Sequence, residues 1–381
     1  MEKYQHYING KWVDSVVKGE SIIVNDPATE EAVGEISCAV KDDVDLAVES
    51  AKKSYESRIL VDMPPMERAN LMRKIADELR KVSKEGGKIL CLENGKLLPA
   101  AEFEFVDAAN YFDYYSGLTD KIEGRTIPVN SQVMDYTIYE PYGVSAHIVP
   151  WNYPISMLAR SLSCAFAAGN STVIKTAELT PLSTASAFAK AIDNAGVPAG
   201  LINIICGYGS GAGNDLTAHK DVSQVSFTGS VKTGKAILHA AAERAIPAVV
   251  ELGGKSAAVV MPDADLDKVV NAAKGAIFGQ AGQICSAMSR VIAHKSIKNE
   301  LVDKLANLAT SLKVGHGSED GTELTPVISE EQLQKIENFS RSGQQAGANA
   351  VAGGNRVDRK GYYFEATVFD NVQPEMTIAQ E

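Results

Sequence analysis

The chain has 381 residues, is 45% hydrophobic and 22% charged, and carries a formal net charge of −11. Its length exceeds the usual single-core size and implies two or more domains; the acidic balance argues against a nucleic-acid or anionic-membrane surface, which needs a basic patch. No stretch approaches the apolar length of a membrane span, the first six residues lack the apolar core of a secretory signal, and five cysteines without short-spaced pairs indicate neither a disulfide framework nor a metal site. A reducing cytoplasm is the expected location.

In chain order, residues 44–56 and 67–82 read as amphipathic helices, the second through Met72, Ile75 and Leu79. A third helical run, 100–115, is rich in aromatics and is expected to pack rather than bind. Turn residues between short β-prone runs at 122–128 and 133–139 predict a hairpin. From Val144 onward, apolar strands at about 144–149, 171–175, 201–205, 222–227 and 247–251 alternate with helical segments. One helix is well marked, with Thr180 as N-cap, Pro181 in the first turn, Leu182, Ala185, Ala189 and Ile192 on one face, and Gly196 as the stop. Such alternation implies an α/β fold with a doubly wound parallel sheet.

Ligands in such sheets bind beyond the carboxyl ends of the strands. That rule gathers Trp151-Asn152, Lys175 to Glu178, Phe227 to Ser230 and Glu251 to Gly253 along one edge. Residues 252–381 begin a second α/β unit.

Cys285 ends the run Phe278-Gly-Gln-Ala-Gly-Gln-Ile-Cys, 34 positions after Glu251 at the end of an apolar strand. On spacing alone the thiol fits a small buried hydrophobe better than a nucleophile, and the glutamate fits a turn cap equally well. Together they suggest a nucleophile and its base. Asn152 stands before Tyr153-Pro154, where it reads either as a turn former or as an amide donor for an oxyanion. Gly229-Ser230 follows a strand and opens a helix, offering N–H groups and a hydroxyl to a phosphate, although serine is also an ordinary N-cap. Arg160 falls opposite the apolar face of Leu158, Leu162, Ala165 and Phe166.

Four separated motifs, Val149-Pro-Trp-Asn-Tyr-Pro154, Phe227-Thr-Gly-Ser230, Glu251-Leu-Gly-Gly-Lys255 and the run ending at Cys285, resemble the aldehyde dehydrogenase superfamily in content and order. The resemblance extends from Tyr7-Ile-Asn-Gly-Lys-Trp12 to the last residue. It implies a dinucleotide-binding domain of residues 1–121 and 141–251, a bridging hairpin at 122–140 and a catalytic domain from 252 to 381. It further implies that Cys285 attacks an aldehyde carbon, Asn152 and the Cys285 N–H hold the oxyanion, and Glu251 activates the water that hydrolyses the thioester. Relatives that pass the acyl group to coenzyme A generally lack this glutamate, so a free acid is the implied product.

For the cofactor, the resemblance implies contacts from Val149, Pro150, Trp151, Lys175, Glu178, Gly229, Ser230, Leu252 and Gly253. Lys175 and Glu178 hold the adenosine ribose, and Glu178 would repel a 2′-phosphate, so NAD is expected over NADP. The family's usual proline between them is Thr176 here. Tyr153, Met157, Arg160, Ile284 and Ser286 are implied as substrate contacts. Arginine at position 160 occurs in members acting on carboxylated semialdehydes and in some acting on aromatic aldehydes, because a guanidinium can fork onto a carboxylate or stack on a ring. The last six residues look like the approach to a segment that usually continues Glu-Ile-Phe-Gly-Pro. The expectation is therefore a C-terminally incomplete protein, a dimer or tetramer when whole, whose present form is impaired in activity and assembly. The alternatives are a nucleotide-binding remnant and a coenzyme A-acylating enzyme.

Overall fold

A computed structural model describes residues 1–381, which divide into two units. The first comprises Met1–Val24, Gly34–Ile89 and Ala101–Glu251; the second comprises Asn25–Val33, Leu90–Ala100 and Leu252–Glu381. The sequence reading places 25–33 and 90–100 with the dinucleotide-binding residues, whereas the structure groups both with the second unit. The reason is local contact. A side chain on Gly95 would strike Pro27 at 2.7 Å and Pro326 at 2.9 Å, and Asp26 hydrogen-bonds His316 at 3.0 Å.

The strands of the first 252 residues are β1 (Glu2–Tyr4), β2 (His6–Ile8), β3 (Lys11–Val13), β4 (Ser21–Asn25), β5 (Ala32–Ser37), β6 (Thr126–Asn130), β7 (Val133–Tyr136), β8 (Val144–Ile148), β9 (Ser171–Thr176), β10 (Ile202–Cys206), β11 (Gln224–Gly229) and β12 (Ala248–Leu252). Seven of them form one sheet in the order β12-β11-β8-β9-β10-β2-β3. β11, β8, β9 and β10 run parallel to one another, and β2 turns back antiparallel on β10. Every residue of β8, β9 and β10 is buried. Helices cover both faces of such strands, which explains their near-continuous apolar character.

From β8 the chain winds one way to β9 and β10, then returns to lay down β11 and β12 on the other side. The reversal falls between β8 and β11, and a crevice at such a point is where α/β sheets receive ligands. The helix Pro154–Ala167 leaves β8 and packs back on β8 and β9.

Two helices differ from their sequence reading. The one expected over 67–82 runs from Pro65 to Asn94, straight through Gly86-Gly87. Glycine normally weakens a helix, but here the small residues admit the helix Leu98–Ser116, since a Cβ on Gly86 would hit the Phe105 ring and one on Gly87 would lie 2.7 Å from Glu102 backbone. The helix after Pro181 opens into a π turn at Thr184–Phe188 before resuming at Ala189–Asn194. The Thr180 hydroxyl at the start of this segment donates to the Trp151 carbonyl at 3.2 Å. The stop at Gly196 is present, with φ of +76°.

β6 and β7 form the expected hairpin, all of it exposed, with Met134 and Tyr136 outermost. In the second unit, β13 (Ala257–Val260) and β14 (Arg290–Ala293) pair in parallel, and β15 (Asn349–Ala352) and β16 (Val368–Asp370) pair antiparallel. Val260, Ala273, Leu301 and Leu305 form one of that unit's cores. No helix of the chain is long and apolar enough to cross a membrane.

Candidate active site

Asn152 lies in the turn that joins β8 to the helix Pro154–Ala167, beside the winding reversal. Its side-chain Oδ1 accepts the N–H of Tyr153 at 3.0 Å. The next two N–H groups, of Ile155 and Ser156, donate to one oxygen of Glu104 at 2.9 and 3.2 Å. Helices leave their first N–H groups without internal partners, and a carboxylate there also meets the positive end of the helix dipole. Glu104 is buried on an otherwise apolar stripe with Ala101, Phe105 and Ala108. The sequence reading missed it; a carboxylate at core spacing in an aromatic helix was the available signal.

A second missed feature is a buried polar chain beneath the same turn. In β8, Ser145 donates to Gln224 Oε1 of β11, while its oxygen lies 3.0 Å from His147 Nε2. His147 Nδ1 is 2.9 Å from Ser161 Oγ on the helix. Because the Ser145 proton is committed to Gln224, Nε2–H must donate to Ser145 and Nδ1 must accept from Ser161. Burial holds the imidazole neutral, with its pKa lowered to about 4. A histidine inside an apolar strand was the sequence signal.

At the end of β9, Lys175 Nζ pairs with Glu178 at 2.9 Å; the lysine side chain is 4% exposed and the glutamate 36%. The Val149 N–H donates to the Lys175 carbonyl at 3.2 Å, tying the Val149-Pro150-Trp151 segment to this end of β9. Past β11, Ser230 caps the helix Val231–Glu243 by accepting the Thr233 N–H at 3.2 Å. A Cβ at Gly229 would lie 2.5 Å from Phe227 Cζ, so the ring fills the space a side chain would need. An amine and a carboxylate at one strand end and a helix N-terminus at another, flanking the reversal, form a donor set that suits the ribose and diphosphate of a dinucleotide.

Glu251 is an exposed residue of β12, and its carboxylate meets Arg160 NH2 at 3.5 Å, with side-chain exposures of 55% and 34%. Arg160, Met157 and Ser161 share the less buried side of their helix, opposite Leu158, Leu162 and Phe166. Ala165, read as part of the apolar face, is only half-buried. Tyr111 and Tyr115 lie within electrostatic reach of the Arg160 guanidinium, which pulls against the rise that burial causes in both phenols.

In the second unit, Cys285 is exposed after an unusual turn. Gln280, Ala281 and Gly282 are all left-handed, with φ of 49°, 52° and 76°. Two non-glycine residues in that region carry a cost of order 1–2 kcal/mol each, and such strain gathers at functional sites. Gln283 holds the turn: its Nε2 donates to the Gln280 carbonyl at 3.1 Å and its Oε1 accepts the Ile328 N–H at 3.0 Å. Gln280 reaches the buried Asn94 at 3.4 Å. Ile284 is half-buried and Ser286 exposed on either side of the thiol. The Leu252-Gly253-Gly254 segment runs past this loop; a Cβ on Gly254 would come within 3.3 Å of the Cys285 carbonyl, while one on Gly253 would meet nothing.

The aldehyde dehydrogenase family model matches residues 12–381. The chain is 39% identical over 376 residues to an aldehyde dehydrogenase of Emericella nidulans, covering 98% of this chain and 75% of that protein. It is 38% identical over 376 residues to the mitochondrial benzaldehyde dehydrogenase of Antirrhinum majus, covering 98% and 70%. The NAD+ complex of the Bacillus cereus aldehyde dehydrogenase superposes with a TM-score of 0.97 at 38% identity, across 100% of this chain and 77% of that one. The fold is that of an aldehyde dehydrogenase. This chain belongs to the aldehyde dehydrogenase family.

Proposed function

We propose that the protein oxidises an aldehyde to the free carboxylic acid with NAD, using Cys285 as nucleophile. The observation that carries the reading is the exposed Cys285 thiol on its strained, Gln283-braced turn, in a chain that matches the family along nearly its whole length. Cys285 Sγ bonds to the aldehyde carbon, and the carbonyl oxygen becomes an oxyanion that accepts from Asn152 Nδ2 and the Cys285 N–H. One such donor is worth roughly a hundred- to a thousandfold in rate. When bound, NAD supplies the hydride acceptor for the oxidation. The oxidised adduct is a thioester on Cys285. Glu251 then takes a proton from water, the water oxygen bonds to the acyl carbon, and the C–S bond breaks to release the acid and the thiolate.

Lys175 and Glu178 would hold the adenosine ribose and Gly229-Ser230 the diphosphate, with Val149, Pro150, Trp151, Leu252 and Gly253 completing the cofactor set. The family resemblance assigns substrate contacts to Tyr153, Met157, Arg160, Ile284 and Ser286. A carboxylated semialdehyde is preferred to an aromatic aldehyde as the class. Five free thiols fit a reducing cytoplasm, and the exposed hairpin of Val133, Met134 and Tyr136 fits a surface for association with further copies.

Replacing Cys285 with Ala should abolish NADH formation from an aldehyde panel while NAD binding, read by calorimetry, persists. Undiminished turnover in that variant would overturn the assignment.

A further inference from the structure

Glu251 has one close cationic neighbour, Arg160, and the contact is one-sided. NH2 of the guanidinium lies 3.5 Å from Oε2, which leaves Oε1 to accept a hydrogen from water. Arginine stays cationic and is more weakly hydrated than an ammonium, so it can bias the direction of a carboxylate that β12 leaves exposed. The backbones of the two residues are held independently. Arg160 rides on a helix pinned at its start by Glu104 and along its length by the His147–Ser161 bond, and Glu251 is the next-to-last residue of β12 at the edge of the sheet.

We propose that Arg160 is a positioning residue for the hydrolytic step, orienting Glu251 through Oε2 so that Oε1 faces the attacking water. The inference rests on the assignment of Glu251 as the base. It gives Arg160 a role with every aldehyde, whether or not the substrate carries a charge.

The test uses an uncharged aliphatic aldehyde, propanal, so that a substrate-anchoring role of Arg160 does not enter. Wild type, Arg160→Met, Glu251→Gln and the double variant are compared by the NADH burst, by steady-state turnover and by the mass of the acyl adduct on Cys285. A partly exposed ion pair is weak, so the hydrolysis rate in Arg160→Met should fall roughly two- to fivefold. The burst rate and the apparent Michaelis constant should be unchanged, acyl adduct should accumulate, and guanidinium at non-denaturing concentration should restore turnover. The double variant should match Glu251→Gln.

Adduct accumulation in Glu251→Gln but wild-type hydrolysis in Arg160→Met overturns the positioning role and leaves the base assignment standing. Loss of burst and turnover together in Arg160→Met, without guanidinium rescue, means the side chain is structural and also overturns it. Unchanged hydrolysis in Glu251→Gln, or a wild type without turnover, removes the underlying reading.

Discussion

His147 in β8 and Ser161 on the following helix meet at 2.9 Å, and Ser145 links the same imidazole to Gln224 of β11. One buried ring thus joins the two strands at the winding reversal to the helix that starts beside Asn152. His147→Leu would take from the buried Ser145 oxygen the donor it accepts from, at about 1–3 kcal/mol, while the part-buried Ser161 hydroxyl keeps the Leu158 carbonyl at 3.2 Å. His147→Gln keeps a donor and an acceptor and should cost less. Urea denaturation of the two variants measures the difference.

The same ring predicts a pH dependence. Its folded pKa is about 4 against an ordinary value near 6.5, so the unfolded chain binds the proton first. The associated stability is present above pH 6.5 and is lost as pH falls towards 4, up to about 3 kcal/mol. His6, also lowered by burial, acts in the same direction. Thermal denaturation between pH 7 and pH 4.5 should therefore show a shallower decline in His147→Gln than in wild type; equal slopes would contradict the assignment.

Glu104→Ala removes the acceptor of the Ile155 and Ser156 N–H groups in a buried setting. A loss of about 2–4 kcal/mol is expected from hydrogen bonds to a charged group. Because the helix start adjoins Asn152, kcat should fall even at temperatures where the variant is fully folded. Circular dichroism alongside turnover separates the two effects.

Gly86→Ala tests two opposed terms. Alanine is the better helix former by about 1 kcal/mol, but its methyl would meet the Phe105 ring and lie 2.8 Å from Ala187 Cβ, and both neighbours are fully buried. Overpacking of about 1–3 kcal/mol should win. The melting temperature should drop, and a rise would mean that the two helices can part at little cost.

Glu178→Gln removes the carboxylate paired with Lys175. With the repulsion to a 2′-phosphate gone, the ratio of kcat/KM for NADP to that for NAD should rise by about tenfold or more. An unchanged ratio would place the adenosine ribose elsewhere.

The amino-acid sequence by itself determined the periodic features: the hairpin and the strands between Val144 and Glu251 (though not the short strands before residue 38 or after residue 252), where the helix before Gly196 stops, and which motifs mark the family. These follow from local chemistry, through apolar runs, turn residues and short motifs whose spacing survives without neighbours. Tertiary structure decided what depends on partners distant in the chain. Gly86-Gly87 does not end its helix, because Phe105 and Glu102 occupy the space a side chain would need. Thr180 also ties its segment to the Trp151 carbonyl, 29 residues back in the chain. Residues 25–33 and 90–100 join the second unit through Pro27, Gly95 and Pro326. Arg160, read as a substrate contact, meets Glu251 from a position 91 residues away. Glu104 and His147 carry no motif; what they do arises only because folding buries them among N–H and O–H groups that have nowhere else to bond.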